Sequence, residues 1–223
     1  MKTLAIVPAR EGSKGVPHKN KRDFCGKPLA AWAIEVGKRT CSRVCVTSDD
    51  PEILNIAEGY GVQSIDRPKE LAQDDTPMLD VLKHVMAWQK EPFDAAILLQ
   101  PTQPLRTDAH VKQALWVLTL KRETDSVVSV VQIPPHMSPD YACKIESELL
   151  SFYLPGNVTR RQDCGKAYYR DGTVYAMRTS LLRQGKMYGR TAPLVIPASE
   201  SCSIDTEDDW VRAEAMWRRQ HGG

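Results

Sequence analysis

The chain has 223 residues, and its 30 Lys and Arg against 28 Asp and Glu leave a net charge of +2. That length suits one large α/β domain spanning residues 1–223 better than two smaller ones. Near-balanced charge excludes a general nucleic-acid or membrane-surface binder, and no stretch approaches the roughly 18 apolar residues of a membrane span.

The first apolar run, Leu4–Val7, is too short for a signal peptide and a polar loop follows it at once. A cytoplasmic protein is the expectation. Its six cysteines, Cys25, Cys41, Cys45, Cys143, Cys164 and Cys202, are then expected as thiols. None forms a CxxC pair, and Cys41-x-x-x-Cys45 lacks a second metal half-site.

Leu4–Val7 reads as the first strand and Leu29–Arg39 as a helix. Val44–Thr47 reads as a second strand. A helix over Pro51–Tyr60 is announced by an Asp cap and a Pro at its first position. Val62–Ile65 is a short third strand, and Met78–Gln89 a helix with Leu79, Leu82, Val85 and Met86 on one face. Ala95–Leu99 is apolar throughout, as a strand covered on both sides should be. Asp108–Leu120 reads as a helix and Ser126–Val131 as a strand. From about 140 to 175 the alternation stops, and "LPGN" and "RDGT" signal turns. This segment predicts a β-hairpin insertion. Val174–Met177 and Leu194–Ile196 return to strand character, and Asp205 opens a last helix.

The alternation predicts a Rossmann-like α/β fold, a mostly parallel sheet with helices on both faces. Ligands in such folds bind beyond the carboxyl ends of the strands, where the strand order reverses. The loop after the first strand leaves from such an end. So do Ser48-Asp49-Asp50, Gln100 to Arg106, and the polar stretch before Asp205.

That opening loop, "PAREGSKGVPHKNKRDFCGKP", holds Arg10, Lys14, Lys19, Lys21 and Arg22, with Gly12 and Gly15 between them. Glycines let backbone amides approach an oxyanion, and the cations neutralise it. A triphosphate is the obvious guest, although a solvated basic loop would carry the same cations. The spacing matches neither the Walker A loop nor G-x-G-x-x-G.

"PAREGSKGVPHKN" resembles the signature of the acylneuraminate cytidylyltransferases, the CMP-sialic acid and CMP-nonulosonate synthetases. Five further segments resemble that family in the same order: "TSDDPEI", "DRPKELAQDDTPMLDVL", "LLQPTQPLR", "RQDCGKAYYRDGTVY" and "SIDTEDDWVRAE". The resemblance implies transfer of CMP from CTP to the anomeric hydroxyl of a 2-keto acid sugar, with Mg²⁺ and loss of pyrophosphate. It implies Arg10, Ser13, Lys14 and Lys19 at the triphosphate, with Asn20 closing the loop beside the nucleotide. Arg67 and Thr76 would read or frame the cytosine. Gln100, Arg161, Asp171 and Tyr175 would contact the sugar, with Arg161 (or Arg160) paired to its carboxylate. Asp205 would hold the metal; the alternative is a helix cap. Arg10, Lys19 and Asp205 are thus the catalytic candidates. A homodimer built through the 140–175 insertion is implied as well. Kdo-type synthetases, or nucleotidyltransferases acting on a sugar or polyol phosphate, are the alternatives. Of the five histidines, His18, His84, His110 and His136 carry no catalytic pattern.

Three positions depart from the family pattern. Ser203 stands where the sialate enzymes have the first Asp of Asp-Ile-Asp. Asp171 stands where Asn usually precedes the Gly, and Cys164-Gly165 replaces a usual Leu-Pro. All lie on the sugar or metal side, so the sugar is the less determined substrate.

Overall fold

The structure, a computed structural model, describes residues 1–154 and 165–222. A seven-stranded sheet is built from β1 (Thr3–Pro8), β4 (Arg43–Ser48), β5 (Gln63–Asp66), β6 (Ala95–Leu98), β7 (Ser126–Gln132), β10 (Tyr168–Arg178) and β11 (Thr191–Val195). Two small ribbons pair β2 (Asp23–Phe24) with β3 (Lys27–Pro28), and β8 (Cys143–Glu146) with β9 (Leu149–Phe152). The helices are α1 (Leu29–Thr40), α2 (Pro51–Gly59), α3 (Met78–Ala87), α4 (Asp108–Leu120), α5 (Thr179–Arg183) and α6 (Glu207–His221).

The strand order is β11-β7-β10-β6-β1-β4-β5. β1 pairs in parallel with β4 on one side and β6 on the other, and β10 alone runs antiparallel, between β6 and β7. The chain winds outward from β1 to β5 and then returns to β1's other edge. Strand order therefore reverses at β1, and its carboxyl end is the switch point.

Every residue of β1 is buried, which the run Leu4-Ala5-Ile6-Val7 makes cheap on both faces. Alternate strand residues feed two cores. Ala5, Val7, Val46 and Ile97 pack with Ile34, Ile53 and Val111 of α1, α2 and α4. Leu4, Ile6 and Leu98 pack with Leu82, Val85 and Leu182 of α3 and α5. A third cluster joins Val16, Phe24, Leu105 and Ile204 to Trp210 and Ala213, fastening α6 over the opening loop. No helix among the described residues is long and apolar enough to cross a membrane.

Two expectations need correction. Asp205 does not open the last helix. Thr206 is its N-cap, in a reciprocal box with Asp209, and left-handed Gly222 ends it at φ 77°. The insertion is also shorter than 140–175. Residues 168–178 form one long strand of the main sheet, and "RDGT" is a register shift inside it rather than a loop. Gly172, at φ 88°, supplies the backbone conformation this irregularity demands. The β8–β9 hairpin itself is as expected.

Candidate active site at the carboxyl end of the first strand

The loop after β1 is held from several directions. Ala9 N–H donates to the Thr47 carbonyl at 3.0 Å, and Glu11 N–H to Asp49 Oδ1 at 3.0 Å. Asn20 donates its side-chain amide to the Arg10 carbonyl at 2.8 Å and so closes the loop on itself. Gly15 has a different task from the one its position suggested. A Cβ built there would lie 1.9 Å from the Asp205 carbonyl oxygen. Gly15 is needed because the loop packs on the backbone of Asp205. Around Gly12, a Cβ would meet nothing closer than Arg10 at 3.9 Å.

Above this packing lies a cleft lined by Arg10, Gly12, Ser13, Lys19, Asn20, Arg67, Met78, Gln100, Pro101 and Thr102. Six residues singled out from the sequence, Arg10, Ser13, Lys19, Asn20, Arg67 and Gln100, thus meet in one place. Lys19 is nearly buried; its ammonium donates to the Ile204 carbonyl at 2.7 Å and stands 3.5 Å from Asp205 Oδ1. Burial lowers its pKa, with Asp205 opposing. Arg67 is 4% exposed and donates Nη2 to the Thr47 carbonyl at 2.6 Å. Burial lowers its pKa to about 10, and one terminal nitrogen remains without a partner among the described residues. A buried guanidinium with a donor unspent favours an acceptor arriving from the cleft.

The other candidates lie around this group. Lys14 is at the exposed rim, paired to Asp74. Thr76 donates its hydroxyl to the Glu70 carbonyl at 3.4 Å, outside the cleft lining. Tyr175 is half-buried against the core that also receives Met78, and Met78 is in the cleft wall. Arg161 and Arg160 lie outside the described residues. Lys21 and Arg22 are spent on structure. Lys21 pairs with Asp50 and Glu52 at 2.9 and 2.8 Å, while Arg22 pairs with Glu207 and stacks 4.3 Å over Trp210.

Asp171 is turned inward. Its carboxylate accepts from the Thr173 hydroxyl and, at 2.8 Å, from the Ser201 hydroxyl. Its backbone carbonyl accepts from Gln103. Fully buried Arg106 stands beside it, donating to the Gln100 and Thr173 carbonyls. Ser201 begins the strap that ends at Asp205. Glu200 before it accepts from His110 at 2.7 Å, and Ile204 N–H donates to the Thr102 carbonyl at 2.9 Å. His110, Asp171, Thr102 and Gly15 thus pin the strap in succession.

Asp205 ends this strap with its side chain 68% exposed, accepting from the Ser203 hydroxyl at 2.9 Å. Asp209 is structural: its carboxylate accepts from the Asp205 and Thr206 amides and the Thr206 hydroxyl, and these bonds hold it below the ordinary carboxylate range. No group of three or more His, Cys, Asp or Glu among the described residues could hold a metal. Asp205 and Ser203 therefore offer one carboxylate and one hydroxyl. That suits Mg²⁺, which takes few protein carboxylates and fills its octahedron with phosphate oxygens and water.

Sequence reasoning missed Asp74, Arg106 and His110. Only Asp74 left a signal: a chain of almost balanced charge must answer a local cation excess somewhere.

Fold and cleft together define a doubly wound α/β protein with an anion-receptive site at its switch point. The chain belongs to the cytidylyltransferase family, whose sequence pattern matches residues 4–193. It is 32% identical over 235 aligned positions to the CMP-N,N'-diacetyllegionaminic acid synthase of Legionella pneumophila, covering 97% of this chain and 96% of that one. It is 30% identical over 217 to an N-acylneuraminate cytidylyltransferase of Streptococcus agalactiae serotype V, covering 95% of this chain. The chain spans about half the length of that relative, 52%. A solved CMP:2-keto-3-deoxy-manno-octonic acid synthetase complexed with CTP has the same fold, at a TM-score of 0.76 and 19% identity, covering 99% of this chain and all of that one.

Proposed function

We propose that the chain is a CTP-dependent cytidylyltransferase that makes a CMP-sugar from a 2-keto acid sugar of the nonulosonate type. The observation that carries this is the convergence of Arg10, Ser13, Lys19 and Asn20 with buried Arg67 and facing Gln100 in one cleft at the switch point. The names of the relatives supply the substrates.

In this reading the anomeric oxygen attacks the α-phosphorus. The new O–P bond forms as the bond to the bridging oxygen breaks, and pyrophosphate leaves with that electron pair. Charge grows on the phosphate oxygens, so prepositioned cations lower the barrier. Lys19 and Arg10 supply that charge. Arg67 donates its unspent N–H to the nucleotide, and Gln100 orients the acceptor. The hydroxyl proton passes to Asp205, to water or to the substrate's own carboxylate. Mg²⁺, when bound, would neutralise phosphate charge, held by Asp205 with Ser203 beside it. Arg161 is the expected partner of the sugar carboxylate.

A homodimer belongs to the same reading. Cross-strand pairing puts Cys143, Ile145, Leu150 and Phe152 on one face of the β8–β9 hairpin, and all four are exposed. A contiguous apolar face of this kind is an association surface, and a second copy is the partner proposed.

Pyrophosphate release with CTP and Mg²⁺ tests the reaction against N-acetylneuraminate, its deaminated form, legionaminate, pseudaminate and 3-deoxy-manno-octulosonate. Turnover with one nonulosonate and CTP, but not UTP or GTP, is expected. Equal use of UTP would overturn the cytosine assignment, and turnover with the octulosonate alone would favour the Kdo-type alternative. Ser203→Asp adds a second carboxylate and should lower the Mg²⁺ concentration needed for half-maximal rate.

A further inference from the structure

Two of the cations assigned to the triphosphate already have an anion. Arg10 Nη2 meets Asp74 Oδ1 at 2.6 Å, and the Lys14 ammonium closes on Oδ2 of the same carboxylate. The other terminal nitrogen of Arg10 reaches the Ala72 carbonyl at 3.5 Å. One carboxylate thus spans two cations four residues apart, one oxygen to each. A phosphate would present the same face, two acceptor oxygens on one centre against a guanidinium and an ammonium.

Among the described residues, Asp74 has no side-chain partner beyond these two cations. Its side chain is 42% exposed, in the loop between the turn Lys69–Leu71 and α3. That loop follows Arg67, so Asp74 is tethered to the base-side wall of the cleft while it occupies the phosphate-side cations.

We propose that Asp74 is an internal stand-in for phosphate, one that every phosphate ligand must displace before it can use Arg10 and Lys14. This rests on the CTP reading above. A tethered competitor has an effective concentration on the order of millimolar, so a free anion that binds these cations more weakly than that loses to it. CTP carries a base that Arg67 can anchor, and its phosphates then compete from a tether of their own. Free pyrophosphate has no such anchor. Asp74 therefore weakens both alike: the anchored nucleotide still binds, and by reclosing on Arg10 and Lys14 Asp74 hastens loss of the leaving group. The contact is exposed and ionic, so added salt weakens it.

Titration calorimetry of the full chain and Asp74→Asn, with CTP, UTP, pyrophosphate and cytidine, tests this. The dissociation constants of CTP and pyrophosphate should fall in the variant by a common factor of about ten, equivalent to about 1.4 kcal/mol. Cytidine, which has no phosphate to displace the carboxylate, should bind both proteins alike. Unchanged or weaker CTP binding by Asp74→Asn overturns the proposal and leaves the functional reading standing; Asp74 would then merely order Arg10 or serve the metal. Tighter pyrophosphate binding with no preference for CTP over UTP supports the proposal and sinks the cytosine assignment instead. Binding of neither anion by either protein overturns both.

Discussion

Gly15→Ala tests the most demanding contact in the site. The new Cβ would stand 1.9 Å from the Asp205 carbonyl oxygen and 3.1 Å from its carbon. Ordinary contact begins at 3.4 Å, so loop and strap must part by about 1.5 Å. The oxygen belongs to backbone, and the strap is tied at Glu200, Ser201 and Ile204, so it has little freedom to give. Overpacking of this kind typically costs about 1–3 kcal/mol of stability. The catalytic cost is larger. Lys19 on the loop and Asp205 on the strap are 3.5 Å apart, and in the proposed reaction both face the same triphosphate. A misplacement near 1 Å can reduce rate about 100-fold, or about 2.7 kcal/mol in barrier. Thermal melting of Gly15→Ala should show a modest loss, while pyrophosphate release falls by about two orders of magnitude or more. A variant with near-wild-type kcat/KM would refute the reasoning, because the loop and the strap could then separate without harm.

Alkaline pH tests Lys19. Burial holds its ammonium below the ordinary lysine value of 10.5, so the charge is lost as pH rises through that lowered value. kcat/KM for CTP should decline at a lower pH than kcat, since bound phosphate restores the charge, and Lys19→Arg should abolish the limb; coincident limbs that persist in Lys19→Arg would assign them elsewhere. Asp171→Ala leaves the Ser201 and Thr173 hydroxyls without their acceptor, at about 1–3 kcal/mol each where buried, and should lower the melting temperature and kcat together. Asp171→Asn keeps an acceptor oxygen and should recover most of both; a raised sugar KM with unchanged melting would instead place Asp171 at the sugar. Leu150→Asp puts charge on the exposed hairpin face and should convert a sedimenting dimer to monomer, whereas a monomeric parent protein would contradict the dimer.

Much of the sheet was legible because its strands are continuous apolar runs between helices of clear period, as Leu4–Val7 and Ala95–Leu98 illustrate. The cleft was legible for a related reason: its residues follow strands directly, so parallel topology carries them to one rim. What remained hidden depends on contacts between distant parts of the chain. Gly172 reads as a turn, and only the neighbours β6 and β7 make it a register shift inside a strand. Asp171 reads as a polar loop residue until Ser201 and Arg106 fold over it. Asp205 reads as a helix cap because Thr206 makes equally good cap chemistry one residue later, and pattern alone does not choose between adjacent capping residues. Asp74 and Arg10 are 64 positions apart, and nothing local announces that they meet.

The hairpin face has an experimental use. Of the described cysteines, Cys143 alone is exposed, and it lies opposite Phe152 on the apolar side of the ribbon. Cys45 and Cys202 are buried, and Cys25 and Cys41 are partly so. Burial raises the thiol pKa at all four of these positions, which slows their alkylation. Cys143 therefore reacts first. The speed with which a bulky maleimide labels it, followed across protein concentrations, is a stopwatch for whatever covers that face.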